Sequence, residues 1–94
     1  MKEVYKKKSD IVYRKVAGET ILVPISGRLA DMQRIFALNP VGEFIWDELD
    51  GSRSLQQISE DIQCHFDVDG EKADTDLEAF IAELLKEGLI EEVS

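Results

Sequence analysis

The dipeptide Asn39-Pro40 divides this chain into two halves with different hydrophobic periods. Asparagine caps helix N-termini well, and proline at the first helical position gives up an N–H that would have no partner there. A helix therefore starts at Pro40, and whatever precedes it ends at Leu38. Before that point the signal is β. Ile11–Val16 is β-branched and aromatic, Ala17-Gly18-Glu19 offers a turn, and Thr20–Ile25 follows as a second strand. Pro24 cannot donate to a ladder, which confines it to that strand's end or to an edge. Ser26–Asp31 reads as a loop. Gln33–Leu38 then sets Arg34, Phe36 and Leu38 on one face against Gln33, Ile35 and Ala37 on the other. Three strands with short connections favour an antiparallel meander. Residues 1–10 read as a polar N-terminal arm, which leaves residues 11–94 as the domain proper.

Beyond Pro40 the period lengthens to that of a helix. Val41, Phe44, Ile45 and Leu49 recur at helical spacing with Trp46 beside them, and Asp50-Gly51 is expected to stop the helix in a left-handed cap. Ser54-Leu55-Gln56-Gln57 has the form of a reciprocal capping box, and Leu55, Ile58, Ile62 and Phe66 make the stripe of a second helix. Asp67–Gly70 breaks it. A third helix, expected over Glu71–Glu87, carries Ala73, Leu77, Phe80, Ile81, Leu84 and Leu85 until Gly88 ends it. Leu89–Val93 adds an apolar tail. Three strands followed by three helices specify an α+β domain rather than a βαβ one.

Charge follows the same division. Residues 1–38 hold eight Lys/Arg against four acids, a balance of +4, and residues 39–94 hold three against sixteen, a balance of −13. The net −9 is therefore a basic strand half joined to an acidic helical half. The single cysteine, Cys64, excludes an internal disulfide and fits a reducing cytosol. No stretch approaches a membrane span, and Met1–Tyr5 lacks the apolar run of a signal peptide, so the expectation is a soluble cytoplasmic protein.

The chemistry of an enzyme is absent from the pattern. His65 and Cys64 are adjacent on a helix and point about 100° apart, which prevents joint metal ligation or a nucleophile–base pair. Asp67, Asp69, Glu71 and Glu78 have a calcium-loop rhythm, but Lys72 stands where that loop needs glycine. The six glycines are scattered, so no phosphate cradle forms. No catalytic residue, metal ligand or cofactor is assigned. Two binding classes remain. A winged helix reading duplex DNA needs basic residues on its recognition helix, whereas the third helix sets Lys72 and Lys86 against six acids. Nucleic acid is therefore not expected, nor is a membrane partner. A short strand at a sheet edge can instead be blunted, or can accept a strand from another chain.

Leu38-Asn39-Pro40-Val41-Gly42-Glu43-Phe44-Ile45-Trp46-Asp47-Glu48-Leu49-Asp50-Gly51 resembles the LN-x-x-(A/G)-x-x-IW-x-x-L-DG signature of the PqqD-like family, named for coenzyme PQQ synthesis protein D. The resemblance continues through Ser54-Leu55-x-x-Ile58, Phe66-Asp67-Val68-Asp69 and Phe80-Ile81-x-x-Leu84-x-x-x-Gly88-Leu89-Ile90. Together these segments cover about residues 33–93. Ser26–Met32 and the strand with Pro24 match no specific part of the pattern.

The resemblance implies a winged helix-turn-helix-like domain, three antiparallel strands followed by three helices, without catalytic activity. It implies a peptide chaperone that takes the leader of a ribosomally made precursor as an added strand and presents it to a radical S-adenosylmethionine (radical SAM) maturase. The cofactors of that chemistry would belong to the maturase. Carried onto this chain, the peptide site is the edge strand Gln33, Arg34, Ile35, Phe36, Ala37 and Leu38 with the helix face Leu77, Phe80, Ile81 and Leu84. Trp46, Ile45, Leu49, Ile58 and Ile62 are expected in the core, and Asp76 and Glu83 are candidates to select Lys or Arg in a leader. A homodimer, including a strand-swapped one, is a further arrangement the sequence leaves open. The alternative reading is a winged-helix-shaped protein-interaction domain that binds no leader.

Overall fold

The computed structural model describes residues 2–9, 11–24 and 36–93. Along the chain these form β1 (Val4–Lys7), β2 (Ile11–Val16), β3 (Glu19–Pro24), β4 (Phe36–Leu38), α1 (Pro40–Glu48), β5 (Asp50–Ser54), α2 (Leu55–Phe66), α3 (Gly70–Lys86) and β6 (Ile90–Glu92). The fold is α+β and winged-helix-like, with the expected antiparallel β2-β3-β4 sheet and the three expected helices.

The β2–β3 hairpin closes through Ala17-Gly18, with Val16 paired to Glu19. Both turn residues have positive φ, 54° for Ala17 and 82° for Gly18, the geometry whose twist matches that of the strands. Pro24 is the last residue of β3, where a missing N–H does least harm. The edge strand expected over Gln33–Leu38 is seen as Phe36–Leu38; Gln33, Arg34 and Ile35 lie outside the described residues.

Each helix begins as its sequence dictates. Asn39 Oδ1 accepts from the Gly42 N–H at 2.7 Å, and Pro40 opens α1. Ser54 and Gln57 form the reciprocal box, at 3.2 Å and 2.9 Å, and Asp69 Oδ1 accepts from the Lys72 N–H at 2.8 Å. Asp67 and Asp69 are thus a left-handed C-cap and an N-cap. Helix α3 ends in a Schellman turn, in which Leu89 N–H donates to Leu84 C=O at 2.9 Å and Gly88 N–H to Leu85 C=O at 3.1 Å. Gly88 takes the positive φ this turn requires, 74°.

The second sheet corrects two expectations. Val4–Lys7, read as part of a polar arm, is the central strand of a β5-β1-β6 sheet. Tyr5 is buried in the core, and Lys6 pairs across from Glu91. Lys7 Nζ sits 5.7 Å from the centre of the Trp46 ring, close enough for a cation–π contact. Asp50-Gly51, expected to cap α1, instead begins β5, and Leu49 is the cap residue. Gly51 uses its φ of 85° within the irregular pairing between Val4↔Ser54 and Lys6↔Asp50. Strand formation in Asp-Gly-Ser-Arg-Ser follows from an available neighbour rather than from propensity.

Core residues come from every layer: Leu22 of β3, Ile45, Trp46 and Leu49, Leu55, Ile58 and Ile62, and Ala73, Leu77, Ile81 and Leu84, closed by Leu89 and Ile90. Glu43 of α1 fastens the first sheet to this core. Its carboxylate accepts from Thr20 Oγ1 at 2.7 Å and from Tyr13 Oη at 2.8 Å, with Lys15 Nζ at 3.4 Å. Those hydrogen bonds, Thr20's foremost, hold the Glu43 carboxyl below its ordinary pKa.

Candidate functional site

β4 is the outer strand of its sheet among the described residues, paired to β3 through Thr20↔Leu38, Ile21↔Ala37 and Leu22↔Phe36. Its composition sets it apart. β2 carries Arg14 and Lys15, β5 carries Asp50 and Arg53, and β6 carries Glu91 and Glu92. Charges of this kind discourage pairing with a further strand. β4, Phe-Ala-Leu, has none.

Opposite β4 lies the C-terminal half of α3, and between them is a groove of about 370 Å³. Phe36, Ala37, Leu38 and Asn39 form one wall, and Phe80, Glu83, Leu84, Glu87 and Leu89 form the other. The groove owes its far end to the helix cap. The Schellman turn folds Leu89 back beside Leu84, the hydrophobic contact that usually accompanies this motif. Its near end is set by Phe80, which is half-buried against α1. Phe80 comes so close there that a Cβ on Gly42 would lie 3.3 Å from the ring. The site is a groove of mixed character, with the apolar side chains of Phe36, Leu38, Phe80, Leu84 and Leu89 beside two carboxylates, Glu83 and Glu87, on its helical wall.

Of the residues the sequence nominates, Phe36, Ala37, Leu38, Phe80 and Leu84 are brought together around this groove. Gln33, Arg34 and Ile35 lie outside the described residues. Leu77 and Ile81 are on α3 but face inward, at 0% and 4% exposure, and do not line the groove. Glu83 lines it, whereas Asp76 pairs with Lys72 at 3.1 Å and borders a different opening. Asn39, Glu87 and Leu89 were not nominated. Glu87 follows Glu83 by one helical turn, and Leu89 follows the capping glycine, so both could have been found from spacing. Trp46, Ile45, Leu49, Ile58 and Ile62 are all in the core, as expected.

Among the described residues no group of three or more His, Cys, Asp or Glu is placed to hold a metal ion. No helix among them is long and apolar enough to cross a membrane. Cys64 is exposed, and His65 stacks on Phe44 with ring centres 4.5 Å apart.

An uncharged outer strand thus faces a helix across a groove lined by both apolar side chains and carboxylates. The family profile described as coenzyme PQQ synthesis protein D (PqqD) matches residues 19–90, from β3 to the start of β6. The chain belongs to the PqqD family. Among solved structures it is similar to TbiB1 in complex with the TbiA(beta) leader peptide. That match has a TM-score of 0.73 at 24% identity and covers 92% of this chain and 94% of that one. It is also similar to lasso peptide synthetase B1 complexed with the leader peptide. Here the TM-score is 0.75 at 15% identity, covering 93% of this chain and 96% of that one. At these identities the likeness is one of fold. No curated protein matches.

Proposed function

We propose that this chain is a non-catalytic recognition module that binds the leader segment of a ribosomally made precursor peptide in the groove between β4 and α3. The observation that carries the reading is the uncharged strand β4 set against a groove in which Phe80, Leu84 and Leu89 stand beside Glu83 and Glu87. A leader segment adds to β4 as a further antiparallel strand. Ladder bonds supply affinity tolerant of sequence, and the groove residues Phe80, Leu84 and Leu89 select apolar side chains. Glu83 favours Lys or Arg at a position facing the helix. Leu77 and Ile81 support the groove from below. The two solved neighbours, both complexed with leader peptides, support the reading at the level of fold.

In this account the chain presents the bound leader to a separate cytoplasmic maturase. The PqqD membership favours a radical SAM enzyme as that partner, with all cofactors held by the maturase. Fluorescence anisotropy with the labelled leader of a precursor encoded beside the gene tests the binding step. Saturable binding that weakens about tenfold in Glu83→Lys is the expected result. Absence of saturation with the full chain contradicts the reading. It would favour an interaction domain that contacts a protein partner without binding a leader.

A further inference from the structure

The sheet β2-β3-β4 has a second face, turned away from the helices. On β2, Tyr13 and Lys15 reach inward to Glu43 of α1, so alternation turns Val12, Arg14 and Val16 outward. On β3, Thr20, Leu22 and Pro24 are buried, which leaves Ile21 and Val23 on the outer side. Ala37 of β4, the partner of Ile21, joins them. Val12 pairs with Val23, and Arg14, Ile21 and Ala37 form the next row. Glu19, opposite Val16, ends the face at the hairpin turn. Val12, Val16, Ile21 and Val23 lie outside the core cluster, and Val16 is 54% exposed.

Arg14 stands among Val12, Val16 and Ile21 and has no ion-pair partner among the described residues. A contact that covers this face has to bring a carboxylate to Arg14, because an unpaired charge is costly to desolvate. Strands about 4.8 Å apart, rising about 3.3 Å per residue, give the face an area of roughly 300 Å². A stable interface needs about 800 Å² per partner, so a second copy of this chain gains too little from the face alone. A fourth strand beside β4 widens it, since residues opposite each other across a ladder point to the same side. Leader side chains opposite Ala37 project outward beside it, and those next to them in the leader point the other way. We propose that this outer face, extended by the bound leader, is the docking surface for the enzyme that modifies the precursor. The enzyme meets it with apolar side chains and a carboxylate opposite Arg14. The inference rests on the groove reading above and adds to it where the enzyme binds. It also makes the leader part of that surface, so the enzyme binds the loaded chain more tightly than the empty one.

The probe is the peptide-modifying enzyme encoded beside the gene, titrated by biolayer interferometry onto the full chain with and without saturating leader. Saturation with leader should tighten enzyme binding about tenfold. Two variants test the face itself. Arg14→Glu reverses the charge at an exposed position. The double variant Val12→Thr with Val23→Thr keeps the size and β-branching of both side chains while making them polar. Each should weaken enzyme binding to the loaded chain about tenfold, with leader affinity, read separately by anisotropy, unchanged. The inference is overturned if the enzyme does not bind the loaded chain, if it binds loaded and empty chains equally, or if either variant binds it as well as the unaltered chain does. It is also overturned if sedimentation velocity of the chain alone shows a dimer that Arg14→Glu dissolves, which would give the face to a second copy. In each of those cases the groove reading survives, because leader binding is measured on its own. If the leader itself does not bind, the groove reading falls and this inference falls with it.

Discussion

The two sheets of this molecule manage their edges in opposite ways. In β5-β1-β6 both outer strands carry charge, and the central strand brings Lys6 between Asp50 and Glu91. That sheet draws the basic N-terminal half onto the acidic helical half and closes the domain. In β2-β3-β4 one outer strand, β2, bears Arg14 and Lys15, while the other, β4, bears no charge and faces a groove. Natural proteins place charges on edges to refuse further strands. Under the proposed function the difference makes β4 the edge to which a peptide adds, with β5-β1-β6 as a structural clasp.

Substitutions can break this contrast from either side. Tyr5 is the buried anchor of the clasp, and Tyr5→Ala should cost about 3 kcal/mol in urea unfolding, the scale for truncating a large core aromatic. Peptide affinity of the folded fraction should be unchanged. Ala37→Lys tests the other sheet. Ala37 is exposed, so the change should move the urea midpoint little, yet it gives β4 the charge the other edges have. Leader binding should fall about tenfold, read by anisotropy. An equal loss of binding from both variants would erase the distinction between clasp and receptor.

A smaller effect is expected where the receptor sheet is fastened to α1. Thr20→Val removes a donor to Glu43 from a buried site and should cost about 1 kcal/mol in the same unfolding measurement. The pH dependence should divide in sign between two glutamates of α1. Glu43 is held below its ordinary value, so what it contributes is complete above the unfolded pKa and is lost as pH falls through the lowered one. Glu48 is raised, chiefly by burial, against the attraction of Arg53 Nη1 at 2.8 Å. Its ionisation therefore opposes folding, and that cost disappears as pH falls below the raised value. Urea midpoints from about pH 3 to about pH 7 should show Glu43→Gln flattening the acid limb and Glu48→Gln raising stability at the neutral end. Smallest of all, Ala17→Asn should stabilise by about 0.5 kcal/mol, because asparagine tolerates the positive φ of the hairpin turn better than alanine.

Much of the receptor half was legible in the sequence, because local chemistry fixes it. Asn39-Pro40, Ser54 with Gln57, and Gly88 each act within a turn of their own position, and all three helix boundaries follow from them to within a residue or so. The clasp was not legible. Val4–Lys7 is short and lysine-rich, and Asp50–Ser54 has no strand propensity at all. Their pairing depends on residues more than 40 positions apart, which no local pattern records. The site divides in the same way. Phe36–Leu38, Phe80 and Leu84 carried a recognisable spacing, whereas the separation of Leu77 and Ile81 from the groove depends on how α3 is rotated against the core. That rotation is a tertiary quantity, set by packing against Ile45, Ile58 and Ile62.

The central claim is that a leader peptide becomes the fourth strand beside β4. Isotope-edited nuclear Overhauser spectra of the full chain, bound to the leader of a precursor encoded beside the gene, test it most directly. The account predicts backbone contacts between an extended peptide and Phe36–Leu38, in antiparallel register, with side-chain contacts to Phe80, Leu84 and Leu89. A bound peptide that contacts α2 or the β5-β1-β6 sheet, with no cross-strand contacts to Phe36–Leu38, would contradict it.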